Sequence, residues 1–114
     1  MQILLVEDHT DTRSLLSLLL NRCGCQIVTA KNIQEARSRL ASMRFDILIS
    51  DLNLPDGDGI ELVREAKEMQ DLKAIAVTGR ATEEERARGI EAGFDCYLTK
   101  PIDFHELRKA ISTR

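Results

Sequence analysis

The sequence predicts an α/β domain in which five parallel strands form one sheet, doubly wound, with helices on both faces. Short apolar runs rich in β-branched residues recur along the chain, and a stretch of helical period follows each of them. The runs are nearly continuous rather than alternating, which is the pattern of strands buried on both faces. Strand and helix therefore alternate five times, and such alternation implies right-handed crossovers and a parallel sheet. The chain has 114 residues, the size of one domain, and a single domain over residues 1–114 is expected.

The first strand is read at Ile3 to Val6, where the apolar run meets the acidic pair Glu7 and Asp8. The first helix follows, with Leu15, Leu16 and Leu19 as its apolar stripe and Gly24 as its stop. Leu18 lies roughly 110° from the centre of that stripe at about 100° per residue, which reads either as a singly exposed leucine or as a contact for a partner. Gln26 to Ala30 is the second strand, and Ile33, Ala36 and Leu40 mark the second helix. The third strand is read at Phe45 to Ile49, shortly before Asp51. Asp56-Gly57-Asp58-Gly59 hints at a calcium loop, but Ile60 breaks the series of oxygen ligands such a loop needs. It is read as a turn, with Asp58 capping a third helix whose stripe is Ile60, Val63 and Ala66. Ala74 to Val77 is the fourth strand. The fourth helix, Glu83 to Glu91, is poor in apolar residues but opens on a capping-box spacing, Thr82 and Glu85, and stops at Gly93. A weaker run from Cys96 to Leu98 is the fifth strand. Asp103 and Glu106 open the last helix, striped by Phe104, Leu107 and Ile111.

Composition narrows the functions. Hydrophobic residues make up 43% and charged residues 31%, the net charge is −3, and no Lys/Arg cluster exceeds a pair. A nucleic-acid footprint or polybasic membrane patch is not expected. No apolar stretch approaches the roughly 18–20 residues that span a bilayer, so a cytoplasmic domain without membrane contact of its own is expected. Cys23, Cys25 and Cys96 are odd in number, and the lone C-x-C lacks the second half of a zinc site. They are read as reduced, mostly buried thiols. His9 and His105 are read as surface or helix-start residues.

In sheets of this class, ligands bind outside the carboxyl ends of the strands. Glu7 and Asp8 follow the first strand, Asp51 the third and Thr78 the fourth, while Lys100 stands just beyond the fifth. Parallel neighbours lie about 4.8 Å apart, so these side chains can share one site. Three carboxylates there repel one another, and a hard divalent cation held by oxygen resolves the conflict. Magnesium suits an incomplete protein cage best. The remaining hydroxyl and ammonium match the needs of a phosphoryl group, toward which a carboxylate can act as nucleophile.

Four segments carry a family resemblance: V-E-D at 6–8, D-L-N-L-P-D-G-D-G at 51–59, V-T-G at 77–79 and Y-L-T-K-P at 97–101. Over essentially its whole length the chain resembles a response-regulator receiver (CheY-like) domain of two-component signalling. The resemblance implies a flavodoxin-like (βα)5 fold with strand order 2-1-3-4-5. It implies Asp51 as phosphoacceptor, with Mg2+ ligated directly by Asp8, Asp51 and the main-chain carbonyl of Asn53 and through water by Glu7. Thr78 would be the switch hydroxyl and Lys100 the phosphate contact. Tyr97 would be the switch aromatic, turning inward as the threonine moves. The Lys100–Pro101 peptide would be cis.

The implied phosphodonor is a histidine kinase or histidine phosphotransfer domain docking on the first helix near Leu18, Pro101 and Ile102. Readout would fall on the face of the fourth helix, fifth strand and fifth helix, toward a downstream protein or a second copy. Asn53 and Arg80 would flank the route of attacking water, and the long cationic Arg80 is expected to shield the phosphoryl group and prolong its life. The wording of V-E-D-H-T-D-T and E-A-G-F-D-C-Y-L-T-K-P resembles the C-terminal receiver of a hybrid sensor histidine kinase, a resemblance compatible with a membrane-anchored parent protein. A single-domain regulator fits as well. Two other classes compete with this reading. An aspartate-dependent phosphatase of the haloacid-dehalogenase kind needs D-x-D, and the second position here is Asn53. A pseudo-receiver serving only for docking would not need the intact acidic, threonine and lysine set. The expectation is therefore a phosphoacceptor with at most weak autophosphatase activity, and not an enzyme.

Overall fold

The computed structural model describes residues 1–79 and 82–112. Its elements are β1 (Gln2–Val6), α1 (Thr10–Arg22), β2 (Gln26–Ala30), α2 (Ile33–Ser42), β3 (Ile47–Asp51), β4 (Asn53–Leu54), β5 (Gly57–Asp58), α3 (Gly59–Met69), β6 (Lys73–Thr78), α4 (Glu83–Ala92), β7 (Cys96–Thr99) and α5 (Phe104–Ser112). The five long strands form one parallel sheet in the order β2-β1-β3-β6-β7. This is the expected 2-1-3-4-5 order. The chain reverses its direction of travel across the sheet between β1 and β3, so the crevice at their carboxyl ends is the topological switch point.

Alternate residues of each strand feed two separate cores. Leu4, Val6, Leu48, Ala74 and Ala76 face α2, α3 and α4, where Ile33, Ala36, Leu40, Ile60, Val63 and Ala66 meet them. Ile3, Leu5, Ile47, Ile49, Ile75 and Val77 face α1 and α5, packing on Leu16, Leu20, Leu107 and Ala110. Both faces of the sheet are therefore dry, which is why the strands read as unbroken apolar runs.

Several sequence expectations need correction. The third strand starts at Ile47, not Phe45. Phe45 is buried, but its N–H donates to the Gln70 Oε1 at 2.8 Å, and Asp46 turns its carboxylate back onto the Gln2 N–H at 2.8 Å. The apolar signal there was core rather than ladder. The stripe of α1 was misphased: Leu16 and Leu20 are buried, whereas Leu15 is 56% exposed beside Leu18 at 51%. With five leucines spread over about 200° of this helix, hydropathy alone cannot choose the buried face. Cys23 is exposed, not buried, while Cys25 and Cys96 are half-buried at the edge of the second core.

The segment after Asp51 is a small antiparallel hairpin, β4 and β5, rather than a plain turn. Asp58 caps α3 as expected, accepting the Ile60 N–H at 2.9 Å. Asp56 does something the sequence did not suggest. Its two carboxylate oxygens accept the N–H groups of Ile33 and Gln34 at 2.8 and 3.0 Å, so the hairpin caps the start of α2 together with Asn32. The Ile33 N–H above all holds the Asp56 carboxyl below its ordinary pKa. Thr82 and Glu85 form the full capping box on α4, and Gly24 and Gly93 stand at helix ends with φ of 87° and 131°. Among the described residues, no helix is long and apolar enough to cross a membrane.

Candidate functional site

The first part of the site is made by β1 running one residue past its end. The Glu7 N–H donates to the Ala30 carbonyl at 3.0 Å, which continues the ladder and turns the Glu7 side chain inward until it is only 3% exposed. Asp8, one residue on, is exposed. Glu7 Oε2 accepts the His9 N–H at 3.1 Å. From α1, Arg13 donates Nη1 to the main-chain carbonyl of Glu7 at 2.9 Å, placing a cation behind the acidic loop. Both histidines are exposed, as expected.

Asp51 ends β3, between β1 and β6, and is 8% exposed. One carboxylate oxygen, Oδ1, accepts the Asn53 N–H at 3.2 Å, and the buried Ser50 hydroxyl donates to the Asp51 carbonyl at 2.9 Å. On the other side α3 begins in contact with the same carbonyl. A Cβ at Gly59 would stand 2.2 Å from it, so only glycine lets the helix start this close to the strand end.

Lys100 closes the site. Its N–H donates to the Thr78 carbonyl at 2.8 Å, the Lys100–Pro101 peptide is cis, and the side chain returns over the sheet. Its Nζ lies 2.7 Å from Asp51 Oδ2 and 3.2 Å from Glu7 Oε1. Burial works to lower the pKa of this ammonium, but the Asp51 hydrogen bond and charge, followed by those of Glu7, outweigh it and raise the pKa above the ordinary lysine value. Glu7, Asp8 and Asp51 each offer a carboxylate oxygen within 4.8 Å of the others. Three carboxylates against one ammonium leave the cluster anionic, and its donors are all hard oxygens. The residues fit Mg2+, which binds through carboxylates and keeps positions for water or a phosphoryl oxygen.

Thr78 is the last residue of β6 and is 4% exposed. Val77 pairs with Asp51 across the strands, which puts Thr78 one step farther toward the crevice. The structure thus brings Glu7, Asp8, Asp51 and Lys100 into one cluster, with Thr78 at its edge. Tyr97 stands apart from them. Its ring packs on α4, with Oη 3.5 Å from the Glu85 carbonyl. Arg80 lies outside the described residues. Sequence reasoning missed Arg13, whose bond runs from a side chain to a carbonyl six residues back and has no motif. It also missed Gly59 as a contact of Asp51, although the D-G-D-G spelling carried that signal.

A parallel sheet of this order with an anionic, lysine-closed crevice at its switch point defines a class of protein, the doubly wound α/β domains with an acidic site fit for a divalent metal. The family model described as response regulator receiver domain matches residues 3–112, and the chain belongs to that family. It is 40% identical over 97% of its length to an uncharacterized 14.6 kDa protein from the sodA1 3' region of Leptolyngbya boryana, covering 87% of that protein. It is 34% identical to the sensor histidine kinase RcsC of Salmonella typhi over 98% of this chain and 12% of the kinase. Of other curated relatives it spans a quarter to about half the length. Among solved structures, a CheY-like receiver domain protein from Methanospirillum hungatei JF-1 superposes with a TM-score of 0.93 at 30% identity, over 96% of this chain and 89% of that one. The chain is accordingly a receiver domain of the two-component kind, and domains of this family are phosphoacceptor switches.

Proposed function

We propose that Asp51 is the phosphoryl acceptor of this receiver and that its modification is the switching event of a two-component or phosphorelay pathway. The observation that supports this most is the end of β3, where a carboxylate 8% exposed is held 2.7 Å from an ammonium and within 4.8 Å of two further carboxylates.

A carboxylate approaching a phosphoryl group must overcome like charge. Lys100 offsets part of it from one side. Asp8, Asp51 and the main-chain carbonyl of Asn53 would hold Mg2+ directly and Glu7 through water, and the ion supplies charge neutralisation when bound. In the transfer, an Asp51 carboxylate oxygen attacks phosphorus from a phosphohistidine donor. The O–P bond forms as the P–N bond breaks, and the donor imidazole leaves. Lys100, already on Asp51 Oδ2, then pairs with one phosphoryl oxygen, and the Thr78 hydroxyl donates to another. Because the Lys100 main chain hangs on the Thr78 carbonyl, these two contacts move together. Tyr97, paired with Ala76 two positions before Thr78 on the neighbouring strand, follows Thr78 as the aromatic part of the switch.

The donor reads as a histidine kinase or phosphotransfer domain. Leu15 and Leu18, three residues apart on α1, present an apolar pair at 56% and 51% exposure, with exposed Pro101 and half-buried Ile102 completing the docking area. Output falls on α4, β7 and α5, to a downstream protein or a second copy. Likeness to part of a sensor histidine kinase supports a kinase parent, and the relative scarcely longer than this chain supports a single-domain regulator. The decisive experiment treats the protein with acetyl phosphate and Mg2+ and follows intact mass. Wild type gains one phosphoryl group and Asp51→Asn gains none. Uptake that survives in Asp51→Asn overturns the assignment.

A further inference from the structure

The side of α4 that faces β7 holds a feature the phosphoryl chemistry does not use. α4 buries little, and one of its two buried residues is Gly89, in the helix interior where glycine is less favourable than alanine. A Cβ at Gly89 would lie 1.5 Å from Tyr97 Oη, 2.8 Å from its Cζ and 3.3 Å from Phe94 Cδ2. The phenol therefore occupies the space in which any other residue would place its first side-chain atom. The ring is held on its remaining sides as well. The Arg86 guanidinium carbon lies 5.3 Å from the ring centroid, and Phe94 meets the ring edge-on at 5.6 Å between centroids. Tyr97 Oη donates to the Glu85 carbonyl at 3.5 Å, the long end of such a bond.

We propose that the Gly89 notch is the seat of Tyr97 in the unphosphorylated protein, and that its missing side chain sets the balance between this position and the one the ring takes when Asp51 is phosphorylated. The inference rests on the reading of Tyr97 as the switch aromatic. The conflict at a filled notch falls on the far end of the ring, not on backbone, so the ring swings about its own torsions while β7 and α4 stay packed. Phosphorylation can move Tyr97 only through a difference in free energy between its two positions. Filling the seat raises the energy of the resting position alone. Gly89→Ala therefore drives the ring out of its seat before any phosphoryl group arrives.

The chain has one tyrosine and no tryptophan, so intrinsic emission reports Tyr97 alone. Emission and acrylamide quenching are measured before and after acetyl phosphate with Mg2+ in wild type, Asp51→Asn and Gly89→Ala. Wild type is expected to change on phosphorylation and Asp51→Asn to remain constant. Gly89→Ala is expected to start near the phosphorylated wild-type value and to lose most of the step. If wild-type emission ignores phosphorylation while mass confirms uptake, the reading of Tyr97 as a switch is wrong. If wild type responds and Gly89→Ala behaves identically, or starts displaced with an undiminished step, the seat proposal alone is wrong. Melting supplies a second measurement that does not need the variant to fold well. Gly89→Ala lowers Tm or prevents folding with Tyr97 present, and raises Tm in a Tyr97→Leu background, where the helix preference for alanine is uncovered. The same sign in both backgrounds overturns the proposal.

Discussion

Asp51→Asn is expected to stabilise the metal-free protein by about 1–3 kcal/mol and to remove most of its stabilisation by Mg2+. In wild type without metal, Asp51 is repelled by Glu7 and Asp8 and attracted by Lys100. At an effective dielectric of about 20, each repulsion is roughly 3.5 kcal/mol at the 4.8 Å limit of the cluster, and the attraction at 2.7 Å is roughly 6 kcal/mol. Solvent weakens the Asp8 share, since that side chain is exposed. The charge terms therefore come close to cancelling, and what remains is the cost of burying a carboxylate that is 8% exposed, several kcal/mol before relaxation. Asparagine keeps the shape and an acceptor for the Asn53 N–H, while Lys100 retains Glu7 at 3.2 Å. Only the charge and its desolvation are removed.

Metal reverses the ranking. Binding to the native state alone contributes about 2.7 kcal/mol at a hundredfold excess over Kd. Thermal melts of both proteins in chelator and in Mg2+ read the effect directly, at about 4 °C or more per kcal/mol for a domain near this size. The variant should melt above wild type in chelator, and wild type should gain most on adding metal. If Asp51→Asn melts below wild type in chelator, the Lys100 pair outweighs the repulsion and this reasoning is wrong. If chelator and Mg2+ give wild type the same Tm, the carboxylates are not a metal site.

Lys100→Met leaves Glu7 and Asp51 facing each other without a cation, and the metal-free form should lose about 2–3 kcal/mol in denaturant melts, somewhat less than a fully buried pair would because the lysine is 30% exposed. Asp56→Ala should lower Tm and flatten the acid limb of stability. Because the folded-state pKa of Asp56 is depressed, its contribution is present above the unfolded carboxyl value of about 3.9 and is lost as pH falls through the folded one, which melts from pH 6 down to about pH 2 would record. Paired replacement of Leu15 and Leu18 by alanine should change stability by under about 1 kcal/mol, as both are exposed. It should slow phosphotransfer from a histidine phosphodonor while leaving uptake from acetyl phosphate unchanged, and equal rates from the donor would remove α1 from the docking surface.

The sheet was legible because burial on both faces writes each strand as an apolar run, and because right-handed crossovers leave few topologies. The acidic pair, Asp51, Thr78 and Lys100 were legible for the same reason, since a parallel sheet brings the ends of its strands to one crevice whatever lies between. What stayed hidden depends on contacts that no spacing encodes. Phe45 looks like strand because it is apolar, yet its backbone bonds a side chain from the end of α3. Leu15 looks like core because its neighbours do. Asp56 and Arg13 act through bonds from side chain to backbone across 23 and 6 residues, and such bonds follow no period. Gly89 reads as a weak helix residue until the Tyr97 ring is found in the space its side chain would fill.

These contacts also suit α4 to the output role proposed for it. α3 buries Gly59, Ile60, Leu62, Val63 and Ala66, whereas α4 buries only Gly89 and Ala92 and leaves Ile90 62% exposed. Hydrophobic burial therefore ties α4 to the sheet far less than it ties α3. Its own capping box satisfies the N–H groups of Glu85 and Thr82, so its first turn is closed by its own residues. Among the described residues its ties include Ala92 in the first core, the Tyr97 ring in the Gly89 notch and an exposed ion pair, Arg88 with Asp58 at 3.6 Å, which is a weak tie in water. An element this lightly anchored moves at small cost. Thr78 stands just before the segment leading into α4, and its carbonyl carries Lys100, whose ammonium reads the charge on Asp51. On the proposed function, a change of charge at Asp51 would reach, through Lys100 and Thr78, a helix whose two buried residues are only a glycine and an alanine.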